Sequence, residues 1–107
     1  MNEERYRRIL EATKTLFLSE LRERSEDIAE TVARWRLGSI ADESFVDELY
    51  RHTHKLKGVA LTVGYADVHE IADAVSRAKY RHEAGPISKE ELERLAARAS
   101  ELEIYRS

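Results

Sequence analysis

The chain contains no cysteine, which excludes disulfide frameworks and thiolate chemistry and fits a reducing cytoplasm. One proline and four glycines in 107 residues leave little to interrupt regular structure. No apolar run approaches the roughly 20 residues of a membrane span. The start, Met1-Asn2-Glu3-Glu4-Arg5, offers no apolar core for a secretion signal. Neither sign of charge dominates: 18 Lys and Arg are interspersed with 21 Asp and Glu, for a net charge of −3. So weak and mixed a field argues against nucleic acid or an anionic membrane as partner. The expectation is a cytoplasmic, monomeric protein.

What the chain does have is helix formers. Ala, Leu, Glu and Arg dominate, and hydrophobic residues at 42% with charged residues at 36% describe a globular core under a heavily charged surface. The length is that of one domain, 1–107. From Asn2 to Leu37, apolar residues recur at spacings of three and four: Tyr6, Ile9, Leu10, then Phe17, Leu21, Ile28, Val32 and Trp35. Asn2 suits an N-cap and Gly38 a C-terminal stop. The run Leu16-Phe17-Leu18 is apolar on all sides, which marks either a bend or a junction between two helices. A second stripe, Phe45, Leu49, Thr53, Leu56, Ala60 and Val63, runs from about Asp42 to Val63, and Gly64 ends or bends it. A third helix, about Ala66 to Glu83, buries Val68, Ile71, Ala72, Val75 and Ala78. A fourth opens at Ser88, where Ser88-Lys89-Glu90-Glu91 has capping-box form, and carries Leu92, Leu95, Ala99 and Leu102 inward nearly to the end. Short loops between long helices make sequential neighbours antiparallel. The fold expected is all-α: an antiparallel up-down four-helix bundle over 17–106, with residues 1–16 as an N-terminal helical extension.

Chemistry concentrates on the second helix. At about 100° per residue, His54 lies roughly 140–160° from the centre of the apolar stripe and points outward, while His52 lies about 60° away, at the edge of the core. Gly58 follows His54 by four residues and shares its face. Glycine inside a helix costs about 1 kcal/mol relative to Ala, so its presence suits a site that needs room. Lys57 follows by three, and its ammonium can neutralise phosphoryl oxygens. Arg51 and Lys55 add positive charge. Leu61, about 20° from His54 in projection, is either an apolar docking contact or a contact with the N-terminal extension. His69 and His82 read as solvated, and Arg77, Lys79 and Arg81 as ordinary surface charges. Two histidines two apart on a helix diverge by about 200°, too far to chelate a metal, and no E-x-x-H pattern is present.

The segment from His52 to Gly64, H-T-H-K-L-K-G-V-A-L-T-V-G, resembles the motif H-x-L-K-G-x-A-x-x-x-G of histidine-containing phosphotransfer domains at every specified position. The resemblance extends over about Phe17 to Leu102 in helix order and lengths. It implies a phosphoryl carrier rather than an enzyme, with His54 as phosphoacceptor, Lys57 stabilising the phosphoryl group, Gly58 giving access, and Arg51, Lys55 and Leu61 docking. The implied partners are a response-regulator receiver domain, a histidine kinase, or both. No cofactor is expected in this chain, magnesium being held by the receiver. Many family members place L-E in the third helix, and one branch uses that Glu to orient the histidine. Here the dipeptide is Val75-Ser76, which leaves Glu70, Asp73 or water for the role. Alternative readings are a bundle of the same fold that binds partners without phosphotransfer, or the N-terminal module of a larger kinase or signalling enzyme, since the charged end Tyr105-Arg106-Ser107 has no stop signal. The dimerisation-and-phosphoacceptor helix of a sensor kinase fits poorly, because Lys55 and Gly58 stand where that motif has an acid and a Thr or Asn.

Overall fold

In the computed structural model, which describes residues 2–106, four α-helices follow one another: α1 (Glu3–Arg36), α2 (Asp42–Ala60), α3 (Ala66–Ala84) and α4 (Lys89–Ser100). A 3-10 helix, Glu101–Tyr105, closes the chain. Met1 and Ser107, the ends of the single domain read from the sequence, lie outside the described residues. The architecture is the all-α four-helix bundle, and no strand occurs among the described residues.

Side-chain pairs fix the helix directions. Arg24 meets His52 and Arg34 meets Glu48, so α1 and α2 run antiparallel. Lys57 meets Asp73 while Asp47 meets Lys79, which reverses α3 against α2. Arg81 meets Glu91, and Asp67 meets Tyr105 at the other end, which reverses α4 with its 3-10 continuation against α3. The stripes converge on one core. Leu21, Phe45, Val46, Leu49, Val75, Leu92, Ala96 and Ala99 are wholly buried. Trp35 stacks on Phe45 with ring centroids 4.4 Å apart, and its indole N–H donates to Asp42 Oδ1 at 2.8 Å, so a bulky polar-edged ring is buried with its donor satisfied.

The ends follow local chemistry. Asn2 accepts from the Arg5 amide and Ser88 from the Glu91 amide. The capping box at Ser88 is half made, because the Glu91 carboxylate turns to Arg81 at 2.8 Å instead. Gly38 and Gly64 have φ of +78° and +90°, the left-handed region that glycine enters without steric cost. Each closes the helix before it with the same long backbone bond, Ser39 N–H to Arg34 C=O and Tyr65 N–H to Ala60 C=O, both 2.8 Å. The α-helical part of α2 ends at Ala60, three residues before Val63, and Leu61–Gly64 form the turn that this bond spans.

Three expectations need correction. First, α1 passes through Leu16-Phe17-Leu18 unbroken; Phe17 takes the core side and Leu16 stays 73% exposed. Second, Tyr6 and Ile9, placed in the stripe by their spacing, are 59% and 55% exposed. At 1.5 Å per residue a 34-residue helix is about 51 Å long, which accounts for the 52 Å length of the molecule. Helices of 19 and 12 residues are too short to cover its first turns. Third, the last turn of the chain tightens from α to 3-10 geometry after Ser100.

Phe45→Ala removes a ring with no exposed surface from the Trp35 stack and should cost about 3–5 kcal/mol. Leu16→Ala should change stability by no more than about 0.5 kcal/mol. Urea unfolding of both variants checks this, and comparable losses would contradict the core assignment.

Candidate functional site

Helix α2 divides cleanly. Phe45, Val46, Leu49, Thr53, Leu56 and Ala60 are buried, and Thr53, the polar member, donates its hydroxyl to the Leu49 carbonyl at 2.9 Å. On the far side Asp47, Arg51, His54, Gly58 and Leu61 are exposed. The His54 imidazole stacks on the Tyr50 ring one turn earlier, with centroids 5.0 Å apart and planes 25° from parallel. Tyr50 is itself fixed: the Lys79 ammonium lies 5.1 Å from its ring centre, and that ammonium bonds Asp47 at 3.0 Å and pairs with Glu83 at 3.4 Å. His54 is therefore exposed but backed by a braced aromatic face.

One turn beyond His54, a Cβ built on Gly58 meets nothing within 4 Å. Nothing inside the fold demands glycine there, and its backbone is ordinary helix. The room it leaves lies outside the molecule. Gly58 thus carries a helix-propensity cost with no internal compensation.

The sequence matches the family described as Hpt domain over residues 13–104. The chain belongs to the Hpt domain family. No curated protein and no solved structure matches it. Hpt domains are phosphocarrier modules of two-component signalling, working with kinases and receiver domains. Among the described residues no helix is long and apolar enough to cross a membrane, and no group of three or more His, Cys, Asp or Glu could hold a metal.

Within this Hpt bundle the other candidates fall at different distances from His54. Lys57, half-buried, turns toward α3 and donates to Asp73 Oδ1 at 2.9 Å. Arg77 bonds the second oxygen of the same carboxylate. These cations, Lys57 first, hold the Asp73 carboxyl below its ordinary range against a smaller opposing effect of burial. Arg51 is exposed, 3.9 Å from Glu48. Lys55 borders a groove with Thr13, Leu16, Glu20 and Val59 on the α1 side. Leu61, 56% exposed, lines another with Leu10, Lys14 and Gly64, so it sits beside the extension and still open to solvent.

Of the two side chains offered for the orienting role, neither reaches His54, and Ser76, which stands where the family has Glu, is turned into the core. Asp73 is engaged with Lys57 and Arg77. Glu70 is exposed and makes no hydrogen bond to His54, nor does any other described residue. The contact that restrains the ring is Tyr50, which sequence reasoning passed over although an aromatic four residues before a histidine is a legible signal on a helix. His69 and His82 are half-buried rather than solvated. His69 Nδ1 lies 3.3 Å from the Lys57 carbonyl across the α2–α3 seam, and His82 Nδ1 is buried without a partner among the described residues. Arg77, Lys79 and Arg81, read as ordinary surface charges, are each ion-paired.

His52 contrasts with His54. Its ring packs at the core edge, and its Nδ1 accepts from Arg24 Nη1 at 3.3 Å, a bond that requires the unprotonated nitrogen. Burial pushes its pKa below the ordinary histidine value, outweighing the pull of Asp27. The unfolded chain therefore binds this proton at higher pH than the folded one. Stability should fall as pH drops below about 6.5 and the loss should be complete below the folded pKa. Denaturation between pH 7 and 5 should show a shallower loss in His52→Gln than in wild type; equal slopes would remove His52 from the balance.

Proposed function

We propose that His54 is the phosphoacceptor of this Hpt domain, taking a phosphoryl group from the aspartyl phosphate of a receiver domain and returning it. The observation that carries the reading is the open space at Gly58, beside an exposed histidine held against Tyr50. A glycine that the fold does not use, one turn from a reachable imidazole, fits a surface shaped for something outside the molecule.

The transfer needs a neutral imidazole with a free lone pair. His54 Nε2 forms the N–P bond as the P–O bond to the receiver aspartate breaks, and that bond's electron pair stays on the aspartate carboxylate. The ring keeps its Nδ1 proton and becomes cationic, while the phosphoryl group carries about two negative charges. Magnesium belongs to the receiver; this chain contributes position and charge. The Tyr50 stack limits rotation of the ring, so less orientational freedom is lost on docking. Lys57, on the neighbouring face of α2, supplies an ammonium for the phosphoryl oxygens. Arg51 and Lys55 give the surface around His54 a positive edge that complements an acidic receiver pocket. Leu61 extends the contact toward the α1 groove.

His54→Gln should abolish acid-labile label from a phosphorylated receiver domain, and His52→Gln should keep most of it. Label kept in the first and lost in the second would reverse the assignment. A protein that binds receivers yet takes no label would be an interaction module on the same fold. Gly58→Leu separates fold from docking: stability should rise by about 0.5–1 kcal/mol, from helix propensity, while receiver binding falls at least tenfold. Undiminished binding by that variant would remove the access role from Gly58.

A further inference from the structure

We propose that Asp73 is a positioning residue that governs how firmly the phosphoryl group is held, by competing with it for the Lys57 ammonium. This rests on the reading of His54 as acceptor.

The observations are three. Lys57 stands three residues from His54 on α2, yet its Nζ is 2.9 Å from Asp73 Oδ1 on α3, so in the resting protein it is held by a carboxylate. Asp73 also bonds Arg77 on its other oxygen, one turn further along α3. The three side chains are graded in exposure, Lys57 at 30%, Asp73 at 37% and Arg77 at 66%, so the outermost cation is solvated and the innermost is sheltered beside the seam.

This order gives Lys57 a second position at small cost. When phosphohistidine forms, about two negative charges arrive on the neighbouring face, and the ammonium gains a stronger acceptor than one carboxylate oxygen. If Lys57 leaves, Asp73 is not stranded, because Arg77 continues to neutralise it. Asp73 thus subtracts from the stability of phosphohistidine in two ways: it holds back the cation, and its own charge repels the phosphoryl group. Arg77 works in the opposite direction by weakening Asp73's hold on Lys57. A carrier must release its phosphoryl group as well as accept it, and a competing carboxylate keeps Lys57 from making His54 a sink.

The test is the equilibrium partition of label between the protein and a receiver domain that labels it, at low ionic strength, where charge effects are least screened. Asp73→Asn keeps the shape and removes the charge. It should move the partition toward His54 by about threefold to tenfold, the scale expected for one partly solvated charge at close range. Arg77→Ala should move it the other way. In a Lys57→Gln background the effect of Asp73→Asn should shrink to less than about twofold, because the competition has lost its object. Circular dichroism verifies that each variant is folded. An unchanged partition in Asp73→Asn, or one shifted toward the receiver, overturns the proposal. So does a full effect that persists without Lys57, which would make Asp73 a distant charge rather than a competitor. Absence of label on the unmodified protein would instead overturn the assignment of His54, and this inference with it.

Discussion

The packing of α2 against α3 is the contact on which the rest of the site depends. An apolar seam runs between them, and an ion pair stands near each end, Lys57 with Asp73 and Asp47 with Lys79. The seam fixes the rotation of α2 about its own axis. That rotation decides that Leu49 and Leu56 go inward and that His54 and Gly58 come out. Turning the helix by one residue, about 100°, would bury a charged or imidazole side chain without a partner, at a cost of several kcal/mol. The exposure of the histidine is thus enforced by the core opposite it. Lys79 links the two tasks directly, since the ammonium that pairs with Asp47 also caps the ring of Tyr50, on which His54 rests.

The two histidines of α2 show how far position alone can divide a residue type. His52 accepts from Arg24 and is pushed toward its neutral form by burial. It makes part of the α1–α2 joint, and a phosphoryl group there would bring about two charges into a partly desolvated edge already holding Asp27. His54, two residues on, faces solvent, makes no hydrogen bond with any described residue, and stacks on the ring of Tyr50. The same imidazole chemistry serves packing in one place and suits transfer in the other.

Much of this was legible in the sequence because it follows from period and spacing. The inward set of α2 is a 3.6-residue pattern, and the outward direction of His54 is its complement. Gly38, Gly64 and Ser88 act through bonds to residues a few positions away, so their roles were readable too. What escaped depends on where another helix ends or how two helices are registered. Tyr6 and Ile9 have core spacing, but spacing says nothing about whether a neighbour is long enough to cover them. The resting bond of Lys57 escaped because its partner Asp73 lies 16 residues away on another helix, and the pairing is set by the α2–α3 register. His69 escaped for the same reason. Tyr50 was the avoidable omission, since its relation to His54 is local.

The glycine at 58 and the carboxylate at 73 share a physical logic. Each makes the isolated protein less well matched to one state than it could be. An alanine or leucine at 58 would favour the helix, and nothing in the fold objects to the added carbon. In the competition proposed for Lys57, a neutral side chain at 73 would free its ammonium for the face of His54. A carrier stands between two partners, and its usefulness depends on the difference between its loaded and unloaded states remaining small. A bundle optimised for its own stability, or for holding phosphate, would fill the first position and neutralise the second. Since stability is dominated by a core that both positions lie outside, the sequence can leave the first unfilled and the second charged; the glycine costs about 1 kcal/mol in helix propensity, small against the several kcal/mol supplied by any one of the large buried side chains.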